Sequence, residues 1–251
     1  MEKVLAMAHE GVGELTLNKP AKLNALDVEM LLAIEHWFQT WEAGGSISVV
    51  LLGSSNERAF CVGADIEVLS RHTIDSMQEW ELLGNRVLDR IQNSPLVSIA
   101  AISGYAFGGG LTLAASSDFR VASEDSMFGQ PEIDLGWAPG WGGVARLARH
   151  VGVTKAKDLS MTGRRVPAAW AEASGLIDRL APKGELREAA AAFARELAAK
   201  QPQALRGIKA LAASDSTGLA AHRFDALLNA SLLHNEKAQA AIAGFLERSK
   251  R

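Results

Sequence analysis

Three short segments carry the residue types from which a reaction can be built. Gly104-Tyr105-Ala106-Phe107-Gly108-Gly109-Gly110 follows an apolar run and precedes Leu111 to Ser116, which reads as a helix. Consecutive glycines at a strand-to-helix turn open backbone N–H groups at a helix N-terminus, where the dipole favours negative charge on a ligand. No Gly-Lys-Ser/Thr follows and the dinucleotide spacing is missing, so the segment is neither a phosphate loop nor a nucleotide turn. A tight turn needing small residues would look the same. Phe60-Cys61-Val62-Gly63-Ala64-Asp65 offers a second open amide, where an apolar stretch breaks at Gly63-Ala64 and Asp65 caps a helical turn. Two amides converging on one oxygen form an oxyanion hole. The third segment, Phe128 to Gly143, sets Glu132 behind Pro131 among glycines and tryptophans. Burial in such a loop raises a carboxyl pKa and makes a better base, although an isolated glutamate is ordinarily solvated. Trp137 and Trp141 read as core or interface residues, or as walls of a substrate pocket.

Other chemistries find no residues here. There is no Gly-x-Ser-x-Gly elbow and no pair of histidines at metal-ligand spacing on a helix. The six histidines are scattered, and only His72, in the stretch after Ala64, stays of interest. The single cysteine, Cys61, excludes an intramolecular disulfide and a cysteine-based metal site, and reads as a small buried hydrophobe. Lys+Arg 26 against Asp+Glu 29 leaves a net charge of −3, without a basic block for nucleic acid or an anionic membrane. The apolar runs are too short to span a bilayer and no signal-like stretch opens the chain. The expectation is a protein of a reducing compartment, most simply a bacterial-type cytoplasm, in a sequence that offers no metal site.

The elements that must position these segments are legible in part. Short alternating strands are expected at Val4 to Met7 and Val12 to Leu17, with Val12, Leu15 and Leu17 on one buried face. Asp27 caps a helix with Val28, Leu31, Ile34, Phe38 and Trp41 at helical spacing, stopped by Gly44-Gly45. Ile47 to Leu52 and Val97 to Ile102 are continuous apolar runs, as in strands buried on both faces. Between them a helix is expected from near Asp75 to Asn93, with Met77, Trp80, Leu83, Val87 and Ile91 inward. Strands alternating with amphipathic helices predict an α/β fold with parallel pairing. Near residue 183 the composition shifts: four helices are expected, over Glu185 to Lys200, Gln203 to Ala213, Leu219 to Leu233 and Glu236 to Arg248. The chain divides into a core over 1–183 and a helical region over 184–251.

Taken together, the segments resemble the crotonase superfamily, the enoyl-CoA hydratase/isomerase family. The matching stretches are Asn18-Lys19-Pro20 through Leu26, Phe60 to Ile66, Ala100 to Gly110, Phe128 to Ile133 and Pro139 to Gly143, in order and in register. The resemblance implies a core of repeated ββα units and a C-terminal helical region that builds homotrimers, often paired into homohexamers. It implies an acyl-CoA thioester as substrate, with the amides of Ala64 and Gly109 as the oxyanion hole. The coenzyme A and acyl parts would meet Lys22, Leu23, Ala25, Ala64, Asp65, Ile66, Gly108, Pro131, Trp137 and Trp141.

Two departures bear on the reaction. Hydratases of the family hold water with two glutamates; Glu132 matches one, while Thr112 stands at the other position, and a hydroxyl is no acid or base near neutral pH. Glu67 stands where a lysine often approaches the coenzyme's phosphates. A lone glutamate resembles the 3-enoyl-CoA to 2-enoyl-CoA isomerases, in which one base carries a proton from C2 to C4. Related hydratase-lyases add a C-terminal tyrosine, but the only tyrosine here is Tyr105. The expected catalytic set is Glu132, Ala64 and Gly109, with Thr112 sharing a water if the reaction is hydration. A catalytically silent scaffold that binds coenzyme A is the reading from another class, and the retention of Glu132 and the glycines argues against it. RNA binding is discarded, because the first helix, Asp27 to Glu42, contains no lysine or arginine.

Overall fold

The computed structural model describes residues 2–213, 219–233, 236, 238–240 and 242–243. β1 (Val4–His9) and β2 (Val12–Leu17) form an antiparallel hairpin turned at Glu10-Gly11, both with positive φ, which matches the strand twist. α1 (Val28–Gly44) starts at Asp27, whose side chain accepts the Met30 N–H, and ends at left-handed Gly45. β3 (Val49–Ser54) and β4 (Ala59–Cys61) then lead through α2 (Ile66–Leu69) to α3 (Ile74–Asn93). β5 (Val97–Ile102), β6 (Tyr105–Phe107) and α4 (Gly109–Ala115) repeat the order, and β7 (Phe119–Ser123) and β8 (Met127–Gly129) begin it a third time. A 3₁₀ turn over Pro131–Leu135 follows, then α5 (Gly143–Val151), α6 (Val153–Thr162), β9 (Arg165–Pro167), α7 (Ala168–Ala173) and β10 (Arg179–Ala181).

The first strand of each repeat joins a six-stranded sheet, β1-β2-β3-β5-β7-β10, and the second joins a four-stranded sheet, β4-β6-β8-β9. Within the repeats, neighbours β3–β5–β7 and β4–β6–β8 are all parallel. The expected ββα repetition is therefore the organising feature of the fold.

Both faces of the central strands β3 and β5 are buried, which explains their unbroken apolar runs. Val50, Leu52, Ala100 and Ile102 face one core cluster, with α1 and α3; Val49, Leu51, Ile99 and Ala101 face a second. Strand alternation also corrects one expectation. Leu15 and Leu17 belong to the first cluster, but Val12, an odd number of residues away, belongs to the second. Val28, expected on the buried stripe of α1, is 40% exposed, because the helix begins before it reaches the core.

α8 (Leu186–Ala198) closes the second cluster with Ala190, Phe193 and Ala194, so close packing continues across residue 183. α9 (Pro202–Ala213) is tied down by Lys209, whose ammonium donates to Asp118 at 2.7 Å and to the Leu96 carbonyl at 2.8 Å. α10 (Leu219–Leu233) matches its expected span, while the helix expected over 236–248 lies largely outside the described residues. Among the described residues no helix is long and apolar enough to cross a membrane.

Candidate active site

The second strands of the three repeats run parallel, so their C-terminal ends stand side by side, where open α/β sheets place ligands. Each chain leaves its strand in a segment singled out by sequence: Val62–Asp65 after β4, Gly108 after β6, and Gln130–Glu132 after β8. Gly63 has φ +101°, and a Cβ there would lie 3.2 Å from both Gly109 N and Phe107 O. A Cβ on Gly110 would collide with the Cys61 carbonyl. The two amide-bearing loops therefore touch through backbone, which larger residues would prevent. Among the described residues no backbone acceptor takes the Ala64 or the Gly109 N–H. Gly109 opens α4, where the first N–H groups have no intrahelical partner.

Glu132 is brought to the same place by pairing between strand ends. Gly108 N–H donates to the Gly129 carbonyl at 2.9 Å, and Gln130 is fully buried, its Oε1 accepting the Ser160 hydroxyl at 2.6 Å. One Glu132 oxygen lies 2.9 Å from where a Gly108 Cβ would be; the other is buried without a hydrogen-bond partner. Burial pushes this carboxyl above the ordinary glutamate range. A half-buried carboxyl with one oxygen buried and unpaired, on the same cavity wall as two amides without backbone acceptors, suits abstraction of a proton next to an oxyanion.

The opposite wall is indole. Trp141 and Trp80 are both 3% exposed, with ring centroids 5.1 Å apart. The Trp141 ring covers Gly109 and Gly84, where a Cβ would overlap it. Its backbone is left-handed, φ 54°, and is held from both sides: its N–H donates to Glu81 at 3.0 Å and its carbonyl accepts from Arg146 Nε at 3.0 Å. Sequence reading passed over Glu81 and Arg146. The available signals were Glu81 one turn beyond Met77 on the inward face of α3 and an arginine just after the Gly142-Gly143 pair. The cavity between these walls has a volume of about 130 Å³, and Met77, Leu69 and Leu135 complete its apolar lining. A larger recess of about 640 Å³ lies between α1 and α3; it is lined by the Glu35–Arg86 and Glu42–Arg90 ion pairs and holds none of these residues.

Of the residues singled out by sequence, Ala64, Ile66, Gly108, Gly109, Pro131, Glu132, Trp137 and Trp141 all line the cavity. Lys22, Leu23, Ala25 and Asp65 do not. Their segment lies alongside, since Leu26 N–H donates to Gly63 O at 2.7 Å and Asp65 N–H to Leu26 O at 2.8 Å. Leu23 and Asn24 are left-handed, a turn anchored by buried Asn24 donating to Ser54 Oγ and Phe60 O. The Asp65 side chain caps α2 and takes Lys19 at 2.8 Å and Lys22 at 3.0 Å. Burial pushes its carboxyl up, but the two lysines outweigh that and hold it at about 2. Glu67 shares Lys22 at 2.8 Å.

Thr112 lies off the cavity wall. It is 1% exposed, donates to the Gly108 carbonyl at 3.2 Å and accepts from Gln130 at 3.4 Å. A threonine on the second turn of a buried helix satisfies its hydroxyl through the i−4 carbonyl. His72 also stays outside, bonded to Ser76 at 3.0 Å. Cys61 is buried, and burial pushes its thiol up to about 12, so it is no nucleophile. Among the described residues no group of three or more His, Cys, Asp or Glu side chains could hold a metal ion.

The ββα repeats, stacked into two sheets with a cavity at the ends of the second strands, define a crotonase-like core. The model of the enoyl-CoA hydratase/isomerase family matches residues 7–251, and the chain belongs to that family. It is 37% identical to a probable enoyl-CoA hydratase of Rhizobium meliloti (strain 1021), over 99% of this chain and 96% of the relative. It is 36% identical to the short-chain-enoyl-CoA hydratase of Clostridium acetobutylicum, over 78% and 75%. Among solved structures, an enoyl-CoA hydratase from Geobacillus kaustophilus HTA426 superposes with TM-score 0.94 at 30% identity, covering 99% of this chain and 95% of that one. The enoyl-CoA hydratase of Bacillus anthracis gives 0.93 at 28%, covering 98% and 96%.

Proposed function

We propose that this enzyme isomerises a 3-enoyl-CoA to the 2-enoyl-CoA, with Glu132 as its single acid/base. The thioester oxygen takes the Ala64 and Gly109 amides. Glu132 removes a proton from C2, the C2 electron pair enters the carbonyl as a dienolate, and the same carboxyl returns the proton to C4. The double bond moves and no atom is gained or lost. Each oxyanion donor typically supplies about 10²–10³ in rate. The observation that carries this reading is Glu132, with one carboxyl oxygen buried and unpaired on the same cavity wall as Ala64 and Gly109, while Thr112 is not on that wall. Hydration is the second reading, favoured by the relatives' names. It needs a second group on the water, and the Thr112 hydroxyl is spent on Gly108 and Gln130.

The reading extends to assembly as a homotrimer or homohexamer through the C-terminal helices, in the cytoplasm, without a cofactor beyond the substrate's own coenzyme A. The adenosine end would follow the Lys22–Ala25 segment, where Lys22 is shared with Asp65 and Glu67. Incubation with 3-hexenoyl-CoA in deuterated water tests the reaction. A 2-enoyl product carrying solvent deuterium supports it; a 3-hydroxyacyl product would replace it with hydration.

A further inference from the structure

Besides Glu132, the cavity wall carries one other charged side chain among the described residues, Glu81 of α3. One of its oxygens accepts the Trp141 N–H at 3.0 Å; the other receives no donor among the described residues. The carboxylate is fitted closely to the backbone, since a Cβ on Gly140 would lie 2.5 Å from one oxygen and 2.8 Å from the other. Its neighbours on the wall are Met77, Trp80 and Trp141. An alkyl acyl group filling this space would strip water from the open oxygen and return nothing, and an acceptor left unpaired on burial is costly. A site with a fixed polar group rejects ligands lacking the complementary group far more strongly than an apolar pocket rejects a missing methylene.

We propose that Glu81 selects acyl groups that carry a hydrogen-bond donor, a hydroxyl or an ammonium, over plain alkyl groups of the same length. This rests on the reading of the cavity as the acyl site of a coenzyme A thioester. The small volume restricts the group to a short chain, since pockets for drug-sized ligands span about 300–1,000 Å³.

The test uses 3-enoyl-CoA thioesters over a series of chain lengths, each ending in a methyl, hydroxymethyl or aminomethyl group. Kd is measured by calorimetry, and deuterium exchange at C2 is followed separately. At one chain length or more, the wild type binds a donor-ended thioester at least about tenfold tighter than its methyl-ended match. That ratio falls towards one in Glu81→Leu, and for the ammonium it also falls in Glu81→Gln, which keeps an oxygen for the Trp141 N–H. The ratio is the readout because Glu81 also positions Trp141. No preference at any length, or a preference unchanged in both variants, overturns the proposal. An active enzyme without preference removes the role of Glu81 and leaves the isomerisation standing; binding preference without C2 exchange does the reverse.

Discussion

Glu132→Gln should lower activity and raise stability together. The wild-type carboxylate keeps one oxygen buried without a donor, and leaving such an acceptor unsatisfied costs about 1–3 kcal/mol. Glutamine has the same shape without the charge, so a gain of about 1 kcal/mol is expected at pH 7, or about 2–4 °C in Tm for a chain of this size. The gain depends on pH with a definite sign. Because burial raises the folded-state pKa, the wild type is relatively stable below the ordinary glutamate value and loses stability as pH rises through the folded one. The variant's advantage should thus be absent near pH 4 and present at pH 7. Turnover of 3-hexenoyl-CoA should fall about 10²–10⁴-fold, the usual worth of a positioned acid/base, while the Kd for the thioester changes little. In the wild type, the acid limb of kcat/KM should lie above the ordinary glutamate pKa. Thermal melts at both pH values and stopped assays by mass spectrometry measure all of this. Undiminished turnover would remove Glu132 as the base, and a variant less stable than wild type at pH 7 would refute the desolvated carboxylate.

Further outcomes follow from the packing around the site. Thr112→Glu should produce no 3-hydroxyacyl product and should cost several kcal/mol in denaturant melts, because it drives a charge against Gln130 and the close approach of Gly143. Thr112→Val should leave turnover within a few fold, as measured by initial rates. Gly84→Ala should destabilise the fold by about 1–3 kcal/mol and slow turnover together, since its methyl overlaps the Trp141 indole that covers Gly109. Asp65→Asn should cost about 2 kcal/mol at neutral pH. Its wild-type contribution is present above the ordinary aspartate value and is lost as pH falls towards about 2, so the variant's acid unfolding curve should be flatter between about pH 5 and 2.

Much of this was legible in the chain itself. Continuous apolar runs at Ile47–Leu52 and Val97–Ile102 are dictated by burial on both faces, and Asp27 and Asp65 mark helix starts because a carboxylate satisfies orphan N–H groups. Glu132, Gly63-Ala64 and the glycine segment each resemble a solvated loop or an ordinary tight turn when taken singly, and stand out only through their joint order and register with the family's motifs. The later strands did not show: β6, β8, β9 and β10 have three residues each, too few for any period to register.

What needed the tertiary structure is everything that depends on which way a side chain or amide points once distant segments meet. Sequence places Thr112 two residues past Gly110, but only the packing of α4 against Gln130 shows its hydroxyl bonded to Gly108 and Gln130 and off the cavity wall. It lists Trp141 as core or wall; the grip of Glu81 and Arg146 on its backbone makes it both. The approach of the Ala64 and Gly109 segments depends on Gly63 and Gly110 letting two loops meet through bare backbone, 45 residues apart between Ala64 and Gly109 in the chain. Local residue type determines which groups are capable of chemistry, because propensity and burial act within a few residues. Long-range strand pairing determines which of them share a cavity, because that depends on contacts no short stretch contains.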